Sequence, residues 1–287
     1  MKTSVDCIPC FVRQTLEAVR FVSTYPSVHE GVVREILRCL ARFDFDQPPP
    51  VVGQMIHRRL RELTGNPDPY KSVKERYNRL ALEMLPELRE QVKQQPDPLL
   101  ASVRLAITGN VIDFAAISGL TEDGVRSSIS RALAEPFSID IDRLRREIKR
   151  ASSILYLADN AGEIVFDRLF IEQLPTDRVT IAVRGRPVIN DATLDDARAA
   201  GLDEIARVIH NGSDAPGTVL DDCDLTFQAH FNAADLVIAK GQGNYETLND
   251  EKKNILFLFR IKCETVASRT GFKTGTNVLT GTPGKNG

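Results

Sequence analysis

No stretch of this 287-residue chain approaches the ~20 consecutive apolar residues that a membrane-spanning helix needs. Its opening, Met1-Lys2-Thr3-Ser4-Val5-Asp6-Cys7, lacks the apolar segment of an export signal, so a cytoplasmic protein is expected. An excess of one sign of charge is missing too: 37 Lys and Arg face 39 Asp and Glu, a net charge of -2. No overall positive field attracts nucleic acid or an anionic membrane, and neither is an expected partner. A local basic groove for a small phosphorylated molecule remains compatible with that balance. Cysteine is scarce and odd in number, five residues over a long chain, which argues against a disulfide framework. The four histidines, at 29, 57, 210 and 230, lack metal-ligand spacing, and packing is the default for each. No G-x-x-x-x-G-K-[ST] stretch occurs, so a P-loop kinase is not expected. What remains is an ordinary globular composition, 42% hydrophobic and 26% charged, long enough for one large or two ordinary domains.

Helical periodicity dominates residues 1–150. Apolar stripes run through Phe11, Leu16, Val19 and Val22, and through Val32, Val33, Ile36, Leu37 and Leu40. A Pro-Pro-Pro run at 48–50 breaks the pattern before further helices at about 51–63, 77–85, 99–120 and 139–148. From residue 151 the texture changes. Short apolar runs at 154–158, 179–183, 208–209, 236–239 and 255–259 read as strands alternating with helical patterns, the mark of βα units and a parallel sheet. The expected architecture is a helical domain, 1–150, packed on a Rossmann-like, mostly parallel α/β/α sheet domain, 151–287.

In open α/β sheets ligands bind beyond the carboxyl ends of the strands. Asp159 and Asn160 follow the first strand, and Asn190 and Asp191 follow the second. Gly212 and Ser213 follow the third, and Lys240, Gly241, Gly243 and Asn244 the fourth. Asp159, Asn160 and Asp191 are hard oxygen ligands suited to Mg²⁺ or Mn²⁺. The glycines let backbone N–H groups approach an anion, Lys240 is a candidate phosphate partner, and a helix starting near Gly162 aims its N-terminus at the same place. Any one of these loops reads first as a turn and helix cap; four at one sheet edge reverse that and favour function. Asp195, Asp196, Asp221 and Asp222 lie farther off and read as solvated surface. The Gly241-Gln242-Gly243-Asn244-Tyr245-Glu246 stretch departs from a dinucleotide fingerprint, with Glu where the third Gly or Ala belongs.

The stretches Ala158-Asp159-Asn160-Ala161-Gly162-Glu163, Pro187-Val188-Ile189-Asn190-Asp191-Ala192-Thr193, Gly212-Ser213-Asp214-Ala215-Pro216-Gly217 and Lys240 through Glu246 together resemble the damage-control phosphatases, long catalogued as domain of unknown function eighty-nine. Cys7-Ile8-Pro9-Cys10, Asp68-Pro69-Tyr70, Gly109-Asn110-Val111-Ile112-Asp113 and Lys262-Cys263-Glu264 fit as well, and the Cys-x-x-Cys start is similar to the stand-alone microbial branch. The resemblance implies a divalent metal (Mn²⁺, Mg²⁺, Co²⁺ or Ni²⁺) on Asp159, Asn160 and Asp191. It also implies hydrolysis of phosphate monoesters of small metabolites, such as sugar phosphates or damaged phosphometabolites.

The expected mechanism has a metal-activated water attacking phosphorus, with Asp159 itself as the other nucleophile. Lys240, Gly241, Asn244 and the Gly212–Ser213 amides would hold the phosphate, and Glu163 or Glu246 would carry a proton or orient other groups. Asn110 would line the cleft from the helical side, and Asp113 would either do the same or, as the leading reading, serve helix packing. Cys7 and Cys10 supply two of the four ligands a structural zinc takes, and a local structural role at a helix start is the default reading. Two other classes stay open: a carboxyl methyltransferase using S-adenosylmethionine, and a non-enzymatic metal-binding module. The sequence does not fix the oligomeric state.

Overall fold

The computed structural model describes residues 1–109 and 140–282, together with positions 124, 127, 129 and 131. Asn110 and Asp113 lie outside these residues, as does the far part of the helix expected over 99–120. Among the described residues, α1 (Ile8–Val22), α2 (Pro26–Leu40), α3 (Pro49–Thr64), α4 (Lys71–Gln94), α5 (Pro98–Thr108) and α6 (Ile141–Arg150) precede the first strand. Proline starts several of them. Pro48 caps α3, and Pro49 and Pro50 occupy its first turn, where a missing N–H breaks no intrahelical bond. The same helix ends at Gly65, whose φ of +67° is the left-handed cap that glycine adopts without strain.

The strands are β1 (Ile154–Leu157), β2 (Val179–Val183), β3 (Arg207–His210), β4 (Leu236–Lys240), β5 (Ile255–Arg260) and β6 (Asn277–Gly281). They form a single sheet in the order β3-β2-β1-β4-β5-β6, parallel except for β6, which runs antiparallel to β5. Between them lie α7 (Glu163–Ile171), α8 (Leu194–Ala199), α9 (Leu225–Ala233), α10 (Gln242–Leu248) and α11 (Glu264–Thr270). The expected helical region and mostly parallel Rossmann-like sheet are therefore both present.

Strand side chains alternate between two apolar layers. Ile154, Tyr156, Ile181, Ile238 and Leu258 share a core with α4, α5 and α7. Leu155, Leu157, Val237, Phe257 and Phe259 pack with Phe227 and Phe231 of α9 and with Tyr245 and Leu248 of α10. All four β1 side chains are buried, as a strand covered on both faces requires. Cover for the sheet thus comes from both sides of residue 150: α4 and α5 join the sheet core, whereas α1 to α3 keep an apolar cluster of their own.

Candidate active site

The strand order reverses between β1 and β4, which opens a crevice at their carboxyl ends. Asp159 and Asn160 leave β1 into it, Asn190 and Asp191 come to it from the loop after β2, and Gly241 follows β4. The first two loops are joined by backbone hydrogen bonds. Ala161 N donates to Asn190 O at 2.9 Å, Ala192 N donates to Asp159 O at 2.8 Å, and Asn160 and Asp191 form an isolated antiparallel bridge. Asp191 sits two residues after Ile189, whose φ of +43° is strained for a β-branched side chain. Ile189 is held there by packing on the α1–α3 cluster, and Arg61 of α3 donates to the neighbouring Pro187 carbonyl at 2.8 Å.

The crevice concentrates buried negative charge. Asp159, Asn160, Glu163 and Asp191 are all buried. Burial, together with the Glu163 and Asp191 charges, pushes the Asp159 carboxyl well above the ordinary range. Burial raises Asp191 too, against the opposing pull of the Arg184 guanidinium, which donates to Asp191 Oδ2 at 2.7 Å. Arg184 Nη2 stands 3.9 Å from Asp159 Oδ1. Asn160 Nδ2 donates to Asp159 Oδ2 at 2.9 Å and to Glu163 Oε2 at 3.0 Å. Gly241 closes the floor: its φ of +81° and ψ of 157° suit glycine alone, and any Cβ there would meet the Asp159 carboxylate.

Several sequence-predicted residues stand apart from the crevice's open side. Lys240, expected at the phosphate, is fully buried, and its ammonium donates to Ala106 O at 2.8 Å, Glu163 Oε1 at 2.7 Å and Asp167 Oδ1 at 2.5 Å. Those acceptors fill its three donors. Glu163 is held between Lys240 and Asn160. The amides expected to cradle an anion are also engaged: Gly212 N donates to His210 Nδ1 at 3.1 Å and Ser213 N to Asn211 Oδ1 at 3.0 Å. Gly162 N, at the start of α7, donates to Asn78 Oδ1 at 2.7 Å. Asn244 is buried and ties its own helix to the strands, donating to Lys240 O at 2.7 Å and accepting from Thr218 Oγ1 at 2.8 Å.

The aspartates read as solvated surface divide. Asp195 is exposed, but Asp196 is buried, where it caps α8 and accepts from Asn78 Nδ2 at 2.9 Å. Asp222 accepts from Gln54 Nε2 at 2.6 Å and from Ser213 Oγ at 2.5 Å. The adjoining Asp214 is buried and gathers Gln54, Arg58 and Arg61, so the 212–217 stretch latches α3 to the sheet edge. Cys7 caps α1 half-buried, Cys10 is exposed, and all five cysteines are free thiols. Burial first, then the charges of Glu246, Cys263 and Cys10, hold the Cys7 thiol above its ordinary range, with Ser4 opposing.

Two cations beside the candidate site are not among the expected site residues. Arg184 carries a cation off β2 into the carboxylates, and only its position one residue past the strand marks it. Lys262 is exposed, yet its charge favours ionised Asp159 and ionised Asp191 alike. Its backbone N is held by Gln242 Oε1 at 2.8 Å. Arg184 also borders a cleft of about 720 Å³ between α4 and the 184–199 segment, lined with Lys71, Lys74, Asn78, Gly185 and Asp196 among others. Asp159 and Asp191 do not line that cleft; Arg184 is the wall between them and it.

Among the described residues no group of three or more His, Cys, Asp and Glu side chains is arranged to hold a metal ion. The candidate set here is two carboxylates and one amide, so its fit rests on donor chemistry. With Nδ2 committed to the carboxylates, Asn160 offers Oδ1, and Asp159, Asp191 and Asn160 are then all hard oxygen donors. The two buried carboxylates of the set, with buried Glu163 beside them, call for positive charge. The residues present fit a hard divalent cation.

Residues 3–278 match the family model described as the damage-control phosphatase ARMT1-like domain. Similar proteins include an uncharacterized protein of Methanocaldococcus jannaschii, 36% identical over 97% of this chain and 95% of that one. A damage-control phosphatase of Archaeoglobus fulgidus is 35% identical over 96% of this chain and 97% of its own length. The crystal structure of a DUF89 family protein from Pyrococcus horikoshii superposes with a TM-score of 0.87 at 31% identity, over 98% of this chain and 99% of that chain. With a family model spanning nearly the whole sequence and relatives alike along their full lengths, this chain belongs to the damage-control phosphatase ARMT1-like family.

Proposed function

We propose that this chain is a divalent-metal-dependent phosphatase of small phosphorylated metabolites, with its reaction centre at Asp159, Asn160 and Asp191. The observation that carries the reading is the stitched pair of loops at the sheet's switch point, which gathers hard oxygen donors and surplus buried negative charge. It is supported by relatives that are named damage-control phosphatases. A Mn²⁺, Mg²⁺, Co²⁺ or Ni²⁺ ion held there would neutralise phosphoryl charge and make a water molecule more acidic.

The chain's own groups take the remaining parts. Lys262, whose charge favours the ionised form of both aspartates, takes the phosphate charge that the sequence suggested for Lys240. Arg184 holds Asp191 in place and limits repulsion between the carboxylates. Asp159 Oδ2 already accepts from Asn160, which suits a cation ligand better than a nucleophile, so the attack on phosphorus is assigned to water. The P–O ester bond breaks as water's oxygen bonds phosphorus, one proton passing to the departing alcohol. The cleft beyond Arg184 lies in the range of small-ligand sites and has room for the organic part of a metabolite. A methyltransferase fits less well, because β2 is followed directly by Arg184, bonded to Asp191, where an acid for the cofactor's ribose belongs.

The test is hydrolysis of p-nitrophenyl phosphate and a sugar-phosphate panel by metal-stripped protein, with each metal restored, beside Asp159→Ala and Asp191→Ala. Metal-restored turnover lost in both variants supports the reading. Turnover indifferent to both aspartates refutes it.

A further inference from the structure

The buried cluster beneath the site has no part in the reaction just described, yet it is connected to it. Lys240 projects from the end of β4 with its ammonium completely enclosed. Its acceptors come from two helices. Glu163 and Asp167 lie on successive turns of α7, and Ala106 O lies in the last turn of α5, where carbonyls lack intrahelical donors and the helix dipole favours a cation. Tyr156 of β1 stands beside Asp167. A buried ion set of this kind is costly to assemble, and replacing it with apolar groups is often neutral or stabilising. Its presence calls for a purpose other than stability.

The connection runs through Glu163. One carboxylate oxygen, Oε1, is held by Lys240, which fixes the side chain's rotamer. The other, Oε2, accepts from Asn160 Nδ2. An amide presents a donor on one side and an acceptor on the other, so whatever fixes Nδ2 decides where Oδ1 points. Asp159 Oδ2 takes the same nitrogen, but Asp159 is itself a candidate ligand and shifts with whatever it binds. Glu163, clamped from behind, is the fixed reference.

We propose that Glu163 and Lys240 are positioning residues: Lys240 locks Glu163, and Glu163 turns the Asn160 amide so that Oδ1, not Nδ2, is presented to the divalent cation. The inference rests on the metal-dependent reading above. It predicts that removing the lock loosens the ligand set without removing a ligand. Glu163→Gln keeps the volume and an acceptor for Lys240 but turns an N–H₂ group toward Nδ2, donor against donor, so Asn160 must flip or withdraw. Adding Asn160→Asp gives that new N–H₂ group an acceptor and returns a hard oxygen to the cation.

Two readouts separate this proposal from the function it rests on. In metal-free ¹⁵N-labelled protein, the Asn160 side-chain amide resonance should move or broaden in Glu163→Gln and in Lys240→Met. Mn²⁺ binding without substrate, followed by the electron paramagnetic resonance of the free ion, should weaken in Glu163→Gln by about 10- to 100-fold. It should return toward the wild-type value in Glu163→Gln/Asn160→Asp. If Lys240→Met does not fold, Glu163→Gln, which retains the Lys240 contact, carries the test. An unmoved Asn160 amide, or wild-type Mn²⁺ binding in Glu163→Gln, overturns the proposal. Wild-type protein that binds none of Mn²⁺, Mg²⁺, Co²⁺ and Ni²⁺, while the Asn160 amide responds in both variants, refutes the metal reading instead and leaves the positioning chain standing.

Discussion

Replacing Gly241 with alanine imposes two costs that the structure allows to be separated. The first is backbone strain: φ of +81° with ψ of 157° lies in a region populated essentially by glycine, and forcing alanine there costs about 1–3 kcal/mol. The second is steric. The new Cβ would stand 2.7 Å from Asp159 Oδ1 and nearer still to Oδ2. The carboxylate must then retreat by about an ångström, a misplacement that costs on the order of 10²-fold in rate when it falls on a reacting group. Gly271, at the end of α11, supplies the control. Its φ is +76°, and a Cβ there meets nothing within 4 Å. Gly271→Ala therefore carries only a backbone cost of about 1–2 kcal/mol. Urea unfolding should show the backbone cost alone in Gly271→Ala and a larger loss in Gly241→Ala, and phosphate-ester hydrolysis at saturating metal should collapse in Gly241→Ala alone. Wild-type turnover in Gly241→Ala would refute the reasoning, because Asp159 could then move without consequence for the chemistry.

Asp214→Asn should lower stability at pH 7 by roughly 1.5–3 kcal/mol, read by urea unfolding, since charge-assisted bonds to a buried carboxylate are lost. Burial alone raises the Asp214 pKa, but hydrogen bonds from Arg58 and Gln54 outweigh it and the folded value is lowered. Its stabilisation is therefore present above the unfolded carboxylate range near pH ~4, and the gap between wild type and variant should close as pH falls below that. Glu246 behaves in the opposite sense: burial raises it to about 7, so the unfolded chain releases this proton first as pH rises. Glu246→Gln should match wild type near pH ~4 and be more stable near pH ~8, with the difference developing between those limits in pH-dependent melts. Lys262→Ala should raise KM for a phosphate monoester by about tenfold, the worth of one charge-assisted contact, while unfolding by urea as wild type does.

The fold was legible wherever burial imposes a strict pattern. β1, β2, β4 and β5 are nearly continuous apolar runs because a sheet covered on both faces leaves little room for a polar side chain, and they appear nearly to the residue, whereas the edge strand β3, Arg207–His210, shows only its central Val208 and Ile209. Elements held by tertiary contacts instead of pattern were not. The α10 sequence Gln-Gly-Asn-Tyr-Glu-Thr-Leu is a poor helix former locally, and β6, Asn-Val-Leu-Thr-Gly, is an edge strand anchored by β5. At the site, topology placed Asp159, Asn160 and Asp191 together because strand ends converge whatever the side chains do. Where a side chain turns is decided by partners distant in sequence. Lys240 looks like a phosphate ligand on the loop map, but α5 and α7 draw its ammonium beneath the sheet edge. Asp196 looks like surface until α4 covers it.

Ile189 makes the helical half part of the site's tolerances. A β-branched residue at φ +43° does not rest there unaided; it is a detent, seated by the cluster of α1 to α3 two residues ahead of Asp191. Without the α1–α3 cluster the Asp191 loop would lose its seat and spring toward ordinary backbone. On the proposed metal-dependent reading, a cavity opened among α1 to α3 would then register as an altered metal affinity and not only as a lower melting point. In this chain, the calibration of the reaction centre is written partly in helices remote from it in sequence.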